Sequence, residues 1–448
     1  MQRANGWHRC FLLTRQTRAF LQLNYAIGPS TKDKFRVFPE ICSGQKGAIG
    51  CGSVIFNTNQ SWKRRFGAGR VCWRTRRVEM RQRAKGKPVG IGVIGAGAFA
   101  RSGQIPAFRL CPDASVVSIY GRHIETTEAI AREFGIPHVC TDYHEMLRMD
   151  DVDLVSIVTP PALHYPMVLE ALEAGKHVLC EKPMALNLRE AIAMWRRAEE
   201  QRVVHCIDYQ LRFNSTRRKM KELIDCGYLG QLRHVTIAVS AAFNATKDSR
   251  PWNWWSQKSM GGGILGANGS HYIDLLRWWF GEIRAVSGQL CTSLSMRKLA
   301  NSEVPRTVET DDLCAFLCDF EKGGQGTVIL STVDHHAQGH RLEAFGDRGS
   351  LMLDGQGRLW GGQHGEERLT DLTAPDPATE LNGITRNVFP MSFVHFARAL
   401  VASVKSGIRP TEAASFYDGV RCQQVMDAIS QSWDEKRWVE LPEIQNME

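Results

Sequence analysis

The stretch Val89-Gly90-Ile91-Gly92-Val93-Ile94-Gly95-Ala96-Gly97-Ala98-Phe99-Ala100 decides the fold of this chain. Its first half is a short β-branched run that predicts a buried strand, and the segment after Gly97 predicts a helix. Between them, the pattern Gly-x-Gly-x-x-Ala allows a tight turn and lets a pyrophosphate approach the N–H groups of the helix start. A glycine-rich turn without a ligand is the alternative, but the strand and helix context favours a dinucleotide site. The predicted cofactor contacts are Gly95, Gly97, Phe99 and Ala100.

Strands and helices alternate downstream of this turn. Further strands are predicted at 115–120, 152–158, 177–180 and 203–208, and helices at 126–134, 162–174 and 186–201. This alternation is typical of parallel βαβ units, so residues 88–208 predict a Rossmann dinucleotide-binding domain.

The pattern changes after Tyr209. Antiparallel strands are predicted at 231–241, 286–292, 312–320, 326–332 and 341–345, followed by a loop at 361–382 and closing helices at 393–406 and 413–432. A chain of 448 residues exceeds what one core usually supports. We therefore predict an α/β protein whose second domain, residues 209–448, binds substrate and forms oligomers.

The positive charge of the chain is concentrated at one end. The net charge is +9, yet residues 1–88 hold 19 Lys and Arg against three acids, whereas the remainder holds 37 against 44. The remainder is mildly acidic, so its composition does not indicate a basic surface that would bind nucleic acid. We expect residues 1–87 to be a disordered extension; organellar targeting by residues 1–79 and a start at Met80 are alternatives.

Two further features bear on the compartment. No run of eighteen apolar residues occurs, which argues against a membrane span. The 13 cysteines form no Cys-x-x-Cys pair, so we expect reduced thiols, no metal site and a cytoplasmic protein.

The end of the second predicted strand bears on the cofactor type. An acid there would bind the ribose 2′-hydroxyl of NAD, whereas a small residue with a nearby Arg accommodates the 2′-phosphate of NADP. The chain has Gly121 and Arg122, which favours NADP and keeps NAD as the alternative. Arg122 could instead be a solvated surface residue.

The segment Glu181-Lys182-Pro183 closes the predicted strand at 177–180. A lysine at the carboxyl end of a parallel strand projects into the crevice where open α/β sheets hold their ligands. Lys182 is therefore predicted to lie where hydride chemistry occurs, with a surface lysine as the alternative.

Several separated motifs, spanning about residues 88–440, resemble the Gfo/Idh/MocA oxidoreductases. They are the glycine turn, Thr159-Pro160 with His164, Glu181-Lys182-Pro183, and Gly261-Gly262-Gly263 followed by Gly269-Ser270-His271 and Asp274. The resemblance implies a large open sheet in the second domain. It also implies an NAD(P)-dependent oxidoreductase that acts on a carbohydrate-like alcohol or ketone, such as a sugar or cyclitol.

The resemblance also assigns roles. Lys182 is similar to the family's catalytic lysine, and His271 to its general acid/base, which also touches substrate. Imidazole suits that role because a hydroxyl carbon that loses hydride also loses a proton, while the lysine polarises the same oxygen. The implied cofactor contacts at the nicotinamide end are Thr159, Pro160, His164, Glu181 and Lys182. A helix histidine that pairs with Asp274 is the alternative for His271.

Two positions depart from the family pattern. Many relatives have an aspartate where this chain has Ala267, one turn before His271, so its proton relay is expected to be incomplete. Pro161 replaces a commonly seen asparagine, which removes side-chain donors near the ribose.

Substrate contacts are predicted at the domain junction. Tyr209 and Arg212 follow the last Rossmann strand, and Arg212 could hold a hydroxyl-rich or anionic substrate, with an inter-domain salt bridge as the alternative. Trp254, in a tryptophan-rich loop, could stack on a sugar face or serve ordinary packing.

Two other functions stay open, and the assembly is a further expectation. A redox-neutral glycosidase with tightly held NAD would restore its cofactor in each cycle, and a silent dinucleotide sensor would need no chemistry. We expect no nucleic-acid or membrane partner. One face of the second sheet, which contains the turn Gly323-Gly324, is expected to form a homodimer or homotetramer.

Overall fold

The computed structural model describes residues 86–246 and 248–444. The predictions for the basic extension, including disorder and targeting by residues 1–79, lie outside this range. In the described part, no helix is long and apolar enough to cross a membrane.

Six parallel strands form the first sheet, in the order β3-β2-β1-β4-β5-β6. The strands are β1 (Val89–Ile94), β2 (Ala114–Tyr120), β3 (His138–Cys140), β4 (Leu154–Ile157), β5 (His177–Cys180) and β6 (His205–Ile207). The helices between them are α1 (Ile105–Arg109), α2 (Ile124–Phe134), α3 (Tyr143–Arg148), α4 (His164–Glu173) and α5 (Leu188–Gln201). The predicted Rossmann arrangement is confirmed.

The second sheet has nine strands, in the order β16-β15-β14-β13-β7-β12-β11-β8-β17. They are β7 (Leu232–Ser240), β8 (Ile283–Cys291), β11 (Leu313–Phe320), β12 (Gln325–Ser331), β13 (Gly339–Gly346), β14 (Gly349–Leu353), β15 (Leu359–Gln363), β16 (Thr370–Asp371) and β17 (Val439–Glu440). The short pair β9 (Met296–Lys298) and β10 (Pro305–Thr307) stands apart. Neighbours are antiparallel except β7 and β12, which run parallel, so the sheet is mostly antiparallel as predicted.

Four helices belong to this second part of the chain. They are α6 (Ser215–Asp225), α7 (Ser270–Phe280), α8 (Val388–Ser406) and α9 (Phe416–Glu435). The apolar side of α8 packs on the first sheet, where Phe393 contacts the rings of Phe99 and Phe108. The C-terminal part of the chain thus completes one face of the N-terminal sheet.

The prediction of a loop at 361–382 is wrong at its beginning, because β15 and β16 extend into it. Gly361 and Gly362 suggested irregular chain, but they belong to a strand with close neighbours. A Cβ at Gly361 would lie 2.4 Å from Leu372 and 2.9 Å from the hydroxyl of Tyr228. The glycine therefore reflects tight packing, which sequence composition does not distinguish from a turn.

Candidate active site

The glycine turn after β1 has the geometry of a dinucleotide cradle. Gly95 has φ +125°, and a Cβ there would lie 2.7 Å from the carbonyl oxygen of Val158. A Cβ on Gly97 would face open space, which leaves room for a phosphate at the start of the next helical segment. Ala100 is fully buried, and Phe99 packs on Phe393. These residues fit a pyrophosphate.

Gly121 and Arg122 lie at the carboxyl end of β2, beside this turn. A Cβ on Gly121 would lie 2.5 Å from the Cβ of Ala96, so a larger residue would collide with the cradle. Arg122 is exposed, and its Nε donates to Nε2 of His123 at 3.3 Å. Its guanidinium is therefore open to solvent beside the cradle, and its contact with an adenosine 2′-phosphate stays a prediction.

His164 ties two loops of the crevice together. It is fully buried, and its ring nitrogens lie 2.9 Å from the carbonyl oxygen of Thr159 and 3.0 Å from that of Pro183. Thr159 and Pro160 follow β4 and stay half-buried beside it. The structure places the His164 ring behind these loops, and its direct cofactor contact stays a prediction.

Lys182 projects from the end of β5 toward the second domain. Its Nζ donates to the carbonyl oxygen of Ala267 at 2.7 Å. Burial lowers the pKa of Lys182, although the carboxyl groups of Glu181 and Asp208 act in the opposite direction. The alternative of a surface lysine does not fit this position.

A buried polar network lies behind Lys182. The amide of Gln104 donates to Glu181 at 2.8 Å and to Asp208 at 3.3 Å, and it accepts from the hydroxyl of Ser156 at 2.7 Å. Burial raises the pKa of Asp208 well above its ordinary range, and the adjacent Glu181 adds to this effect. A raised pKa at Asp208 favours a proton on this carboxyl group beside the carboxylate of Glu181.

His271 lies in the first turn of α7 and is 1% exposed. Its ring packs between Tyr209 at 5.8 Å and Phe389 at 5.3 Å, and neither ring nitrogen has a hydrogen-bond partner among the described residues. Burial lowers its pKa well below the ordinary value, and the positive charge of Lys182 adds to this effect. The site therefore holds a neutral imidazole that can accept a proton.

Arg212 is held by two carboxylates. Its Nε donates to Asp274 at 2.7 Å and its Nη2 to Asp418 at 3.0 Å, and the side chain is 6% exposed. Asp274 thus serves Arg212 and not His271, which disfavours the alternative of a structural histidine. The same geometry favours the salt-bridge interpretation of Arg212 over substrate contact.

The triple glycine folds tightly under the crevice. A Cβ on Gly261 would lie 2.6 Å from Pro161, and one on Gly263 would lie 2.1 Å from Asp311. Pro161 therefore packs on the glycine segment. Trp254 is half-buried, and its ring lies 5.5 Å from that of Trp255, so both predicted roles for it stay open.

Several polar residues of the site were missed from the sequence. Gln104 lies in a π-type turn before α1, and Asp208 directly follows β6. The alternation of β13 could have marked His340, because it shares the inward side of the strand with Leu342 and Ala344. Arg217, Tyr272 and the apolar Phe389 also lie around His271. They carry no local signal in the sequence, because distant elements bring them together.

Known proteins share this architecture. Residues 89–209 match the family model described as an oxidoreductase family with an NAD-binding Rossmann fold, and residues 217–352 match the GFO/IDH/MocA C-terminal domain. An uncharacterised oxidoreductase of Synechocystis sp. is 31% identical over 80% of this chain and 97% of its own. Levoglucosan dehydrogenase of Pseudarthrobacter phenanthrenivorans is 26% identical over 71% of this chain and 88% of its own.

A solved structure of levoglucosan dehydrogenase with NADH and L-sorbose has a TM-score of 0.73 at 25% identity, over 80% of this chain and 100% of that one. Fold and matched domains together define an oxidoreductase that uses a nicotinamide dinucleotide. The chain belongs to the Gfo/Idh/MocA family. The predicted enzyme class is thereby confirmed, whereas the individual site residues remain predictions.

Proposed function

We propose that this protein is an NAD(P)-dependent dehydrogenase or reductase that transfers a hydride between nicotinamide and a carbohydrate-like alcohol or ketone. The observation that carries the proposal is the meeting of Lys182 and His271 at the carboxyl edge of the first sheet. The hydrogen bond from Lys182 to Ala267, four residues before His271, links the two groups. Levoglucosan dehydrogenase supports the substrate class, since one of its structures contains L-sorbose.

The chain's own groups divide the chemistry between them. The nicotinamide would supply the hydride donor or acceptor when bound. In the oxidation direction, His271 accepts the hydroxyl proton at a ring nitrogen, while the Lys182 ammonium stabilises the charge on the substrate oxygen. The carboxyl groups of Glu181 and Asp208 beside Lys182 offset its charge, and the carbonyl oxygen of Ala267 fixes the direction of its side chain. Burial of His271 excludes water from the proton transfer.

The preference for NADP over NAD is part of this proposal. Arg122 is exposed beside the cradle and has no acid next to it at the end of β2, where an NAD-specific site would place one. The NADH in the levoglucosan dehydrogenase structure keeps NAD as the alternative for this chain.

We further propose a cytoplasmic homodimer or homotetramer. Leu317 on β11 and Ile329 on β12 are 46% and 43% exposed on the outer face of the second sheet, as expected of an interface. The nine cysteines in the described part of the chain are free thiols, which suits a reducing compartment.

The test follows NADPH and NADH absorbance in the full-length protein against sugars, inositols and sugar acids. We expect turnover that Lys182→Ala abolishes, with cofactor affinity changed less than about threefold. Lys219→Ala, at an exposed position, is the matched control and should keep full activity. Equal turnover in Lys182→Ala and wild type would contradict the assignment. Product release without net change in NADPH or NADH would favour the redox-neutral glycosidase.

A further inference from the structure

Arg217 is a buried guanidinium that lacks an ion pair. It lies in the first turn of α6 and is 4% exposed. Its Nη1 donates to the neutral side chain of Asn214 at 3.2 Å, and its Nε has no hydrogen-bond partner among the described residues. Within the same part of the chain, no carboxylate lies within ion-pair distance of it. Buried arginines ordinarily form an ion pair, so an anionic group is expected to bind beside this one.

Arg217 belongs to the immediate surroundings of His271. Burial lowers the pKa of His271, and the charge of Arg217 is among the causes that lower it further. The guanidinium of Arg217 also lies within hydrogen-bonding reach of the hydroxyl of Tyr272, a neutral group that itself hydrogen-bonds to Nδ1 of His340. Phe389 completes the group, with its ring 5.3 Å from His271 and 6.2 Å from His340. The guanidinium of Arg217, which has no ion pair among the described residues, therefore lies near the proton acceptor His271.

The charges of the side chains around His271 do not cancel. The ammonium of Lys182 has the carboxyl groups of Glu181 and Asp208 beside it, and both favour its charged form. His271 is neutral, and burial lowers the pKa of His340 to about 4, so it is neutral as well.

The other buried arginines nearby are satisfied. Arg212 pairs with Asp274 and Asp418, and Arg277 with Glu282 at 2.7 Å. One positive charge, that of Arg217, is left over.

We propose that Arg217 binds a carboxylate on the substrate, so that the enzyme acts on a polyhydroxy acid such as an aldonate or uronate. This inference rests on the proposed function and names its substrate class. A carboxylate matches the single unbalanced charge and the planar fork of a guanidinium. A phosphate would bring up to two negative charges next to a single unpaired positive charge, that of Arg217. Arg212, the arginine singled out from the sequence, is already neutralised and is unavailable.

The experiment compares the full-length enzyme with Arg217→Gln and Arg218→Gln. Arg218 is the next residue on the same helix, but its side chain is 41% exposed and pairs with Glu412 at the surface. With nicotinamide cofactor present, turnover is measured on D-gluconate and D-glucuronate, on neutral D-glucose and myo-inositol, and on glucose 6-phosphate. We expect the acids to be preferred by wild type and by Arg218→Gln.

In Arg217→Gln, kcat/KM for the acids should fall about 100-fold, while that for neutral sugars changes less than about threefold. Arg217→Lys keeps the positive charge but loses the planar fork of the guanidinium. Its kcat/KM for the acids should lie between the values for wild type and Arg217→Gln. Melting temperatures give a second readout. The acids should stabilise wild type and not Arg217→Gln, whereas the unliganded variant should melt no lower than wild type, because an unpaired buried cation has been removed.

Two results would overturn the carboxylate assignment: a preference for neutral sugars or glucose 6-phosphate in wild type, or a lower melting temperature of unliganded Arg217→Gln with unchanged substrate preference. The second would make Arg217 a structural residue. Failure of the proposed function is distinguishable, since no substrate would then be turned over. The Arg217-dependent thermal shift with the acids would still decide whether the pocket binds a carboxylate.

Discussion

The Nζ of Lys182 lies 2.7 Å from the carbonyl oxygen of Ala267, which joins the end of β5 to the turn before His271. That turn, Leu265–Gly269, is of the π type, and α7 begins directly after it at Ser270. A backbone carbonyl thus contacts the lysine at the position where many relatives carry an aspartate. Ala267 therefore matters twice: its backbone carbonyl accepts the hydrogen bond from Lys182, and its methyl side chain gives His271 no carboxylate partner.

Ala267→Asp should restore a carboxylate beside His271. The charge would raise the pKa of His271, so the base would stay protonated to higher pH and the low-pH limb of kcat/KM for oxidation should move upward. Ala267→Asn supplies similar volume without charge and should leave that limb in place. Stability should fall by about 1–3 kcal/mol, because Ala267 is buried. Equal pH profiles for the two variants would show that the new carboxylate does not reach His271.

Glu181→Gln and Asp208→Asn should be strongly non-additive. Because burial and the adjacent Glu181 raise the pKa of Asp208, we expect the pair to carry one negative charge, so that either single substitution leaves one ionisable carboxyl beside Lys182. Only the double variant removes the charge, which should lower the pKa of Lys182 further and move the high-pH limb of kcat/KM to lower pH. At pH 9 we expect about tenfold more loss than the product of the single effects. Additive pH profiles would contradict the shared-proton description.

Arg212→Met should mainly affect stability. It leaves the buried Asp274 without its ion-pair partner, while the half-buried Asp418 keeps Arg277 at 3.6 Å. The loss should cost about 3–5 kcal/mol in the free energy of unfolding, measured in urea. Burial already raises the pKa of Asp274 to about 6, and losing Arg212 removes the charge that opposes this rise. A variant with normal stability and a raised KM would instead support substrate contact by Arg212.

Arg122→Gln should change the choice of cofactor. Because the guanidinium is exposed at the end of β2, we expect about a tenfold rise in KM for NADPH with little change for NADH. Arg132→Gln, at a solvent-facing position on α2, is the control. If Arg122→Gln leaves the KM for both NADPH and NADH unchanged, Arg122 is a solvated surface residue.

Leu317→Glu combined with Ile329→Glu should dissociate the proposed oligomer. Both side chains face outward from neighbouring strands, so two carboxylates would have to be buried in any interface there. Light scattering should report a monomer, whereas Thr327→Glu, at the adjacent exposed position, offers a milder comparison. An unchanged mass for the double variant would place the interface elsewhere or show that wild type is monomeric.

Local patterns were sufficient for the framework of this protein. The glycine turn and Lys182 could be placed from sequence because each follows a buried strand whose carboxyl end opens on the crevice. The ion-pair partners of the buried arginines could not be predicted from the sequence. Arg212 and Arg217 follow the same strand, yet one meets Asp418, 206 residues away, and the other meets no carboxylate within the described chain. Such pairings depend on how α6, α7 and α9 pack, which residue spacing does not encode.

The parallel pairing of β7 with β12 was missed for a related reason. Alternating apolar residues reveal which side of a strand is buried, but they carry no information on the direction of its neighbour. The predicted, mostly antiparallel sheet is confirmed, but the sequence does not indicate which pair of strands runs parallel.

The docking of α8 on the first sheet has a consequence for biosynthesis. The ribosome completes all six strands of that sheet by Ile207, but it supplies the helix that covers one of their faces only after Val388. For about 180 residues of translation, the described part of the chain lacks the helix that covers the apolar surface facing Phe393 and Phe396. The nucleotide-binding half therefore matures only as synthesis ends, and a chain truncated before α8 would present that surface to chaperones.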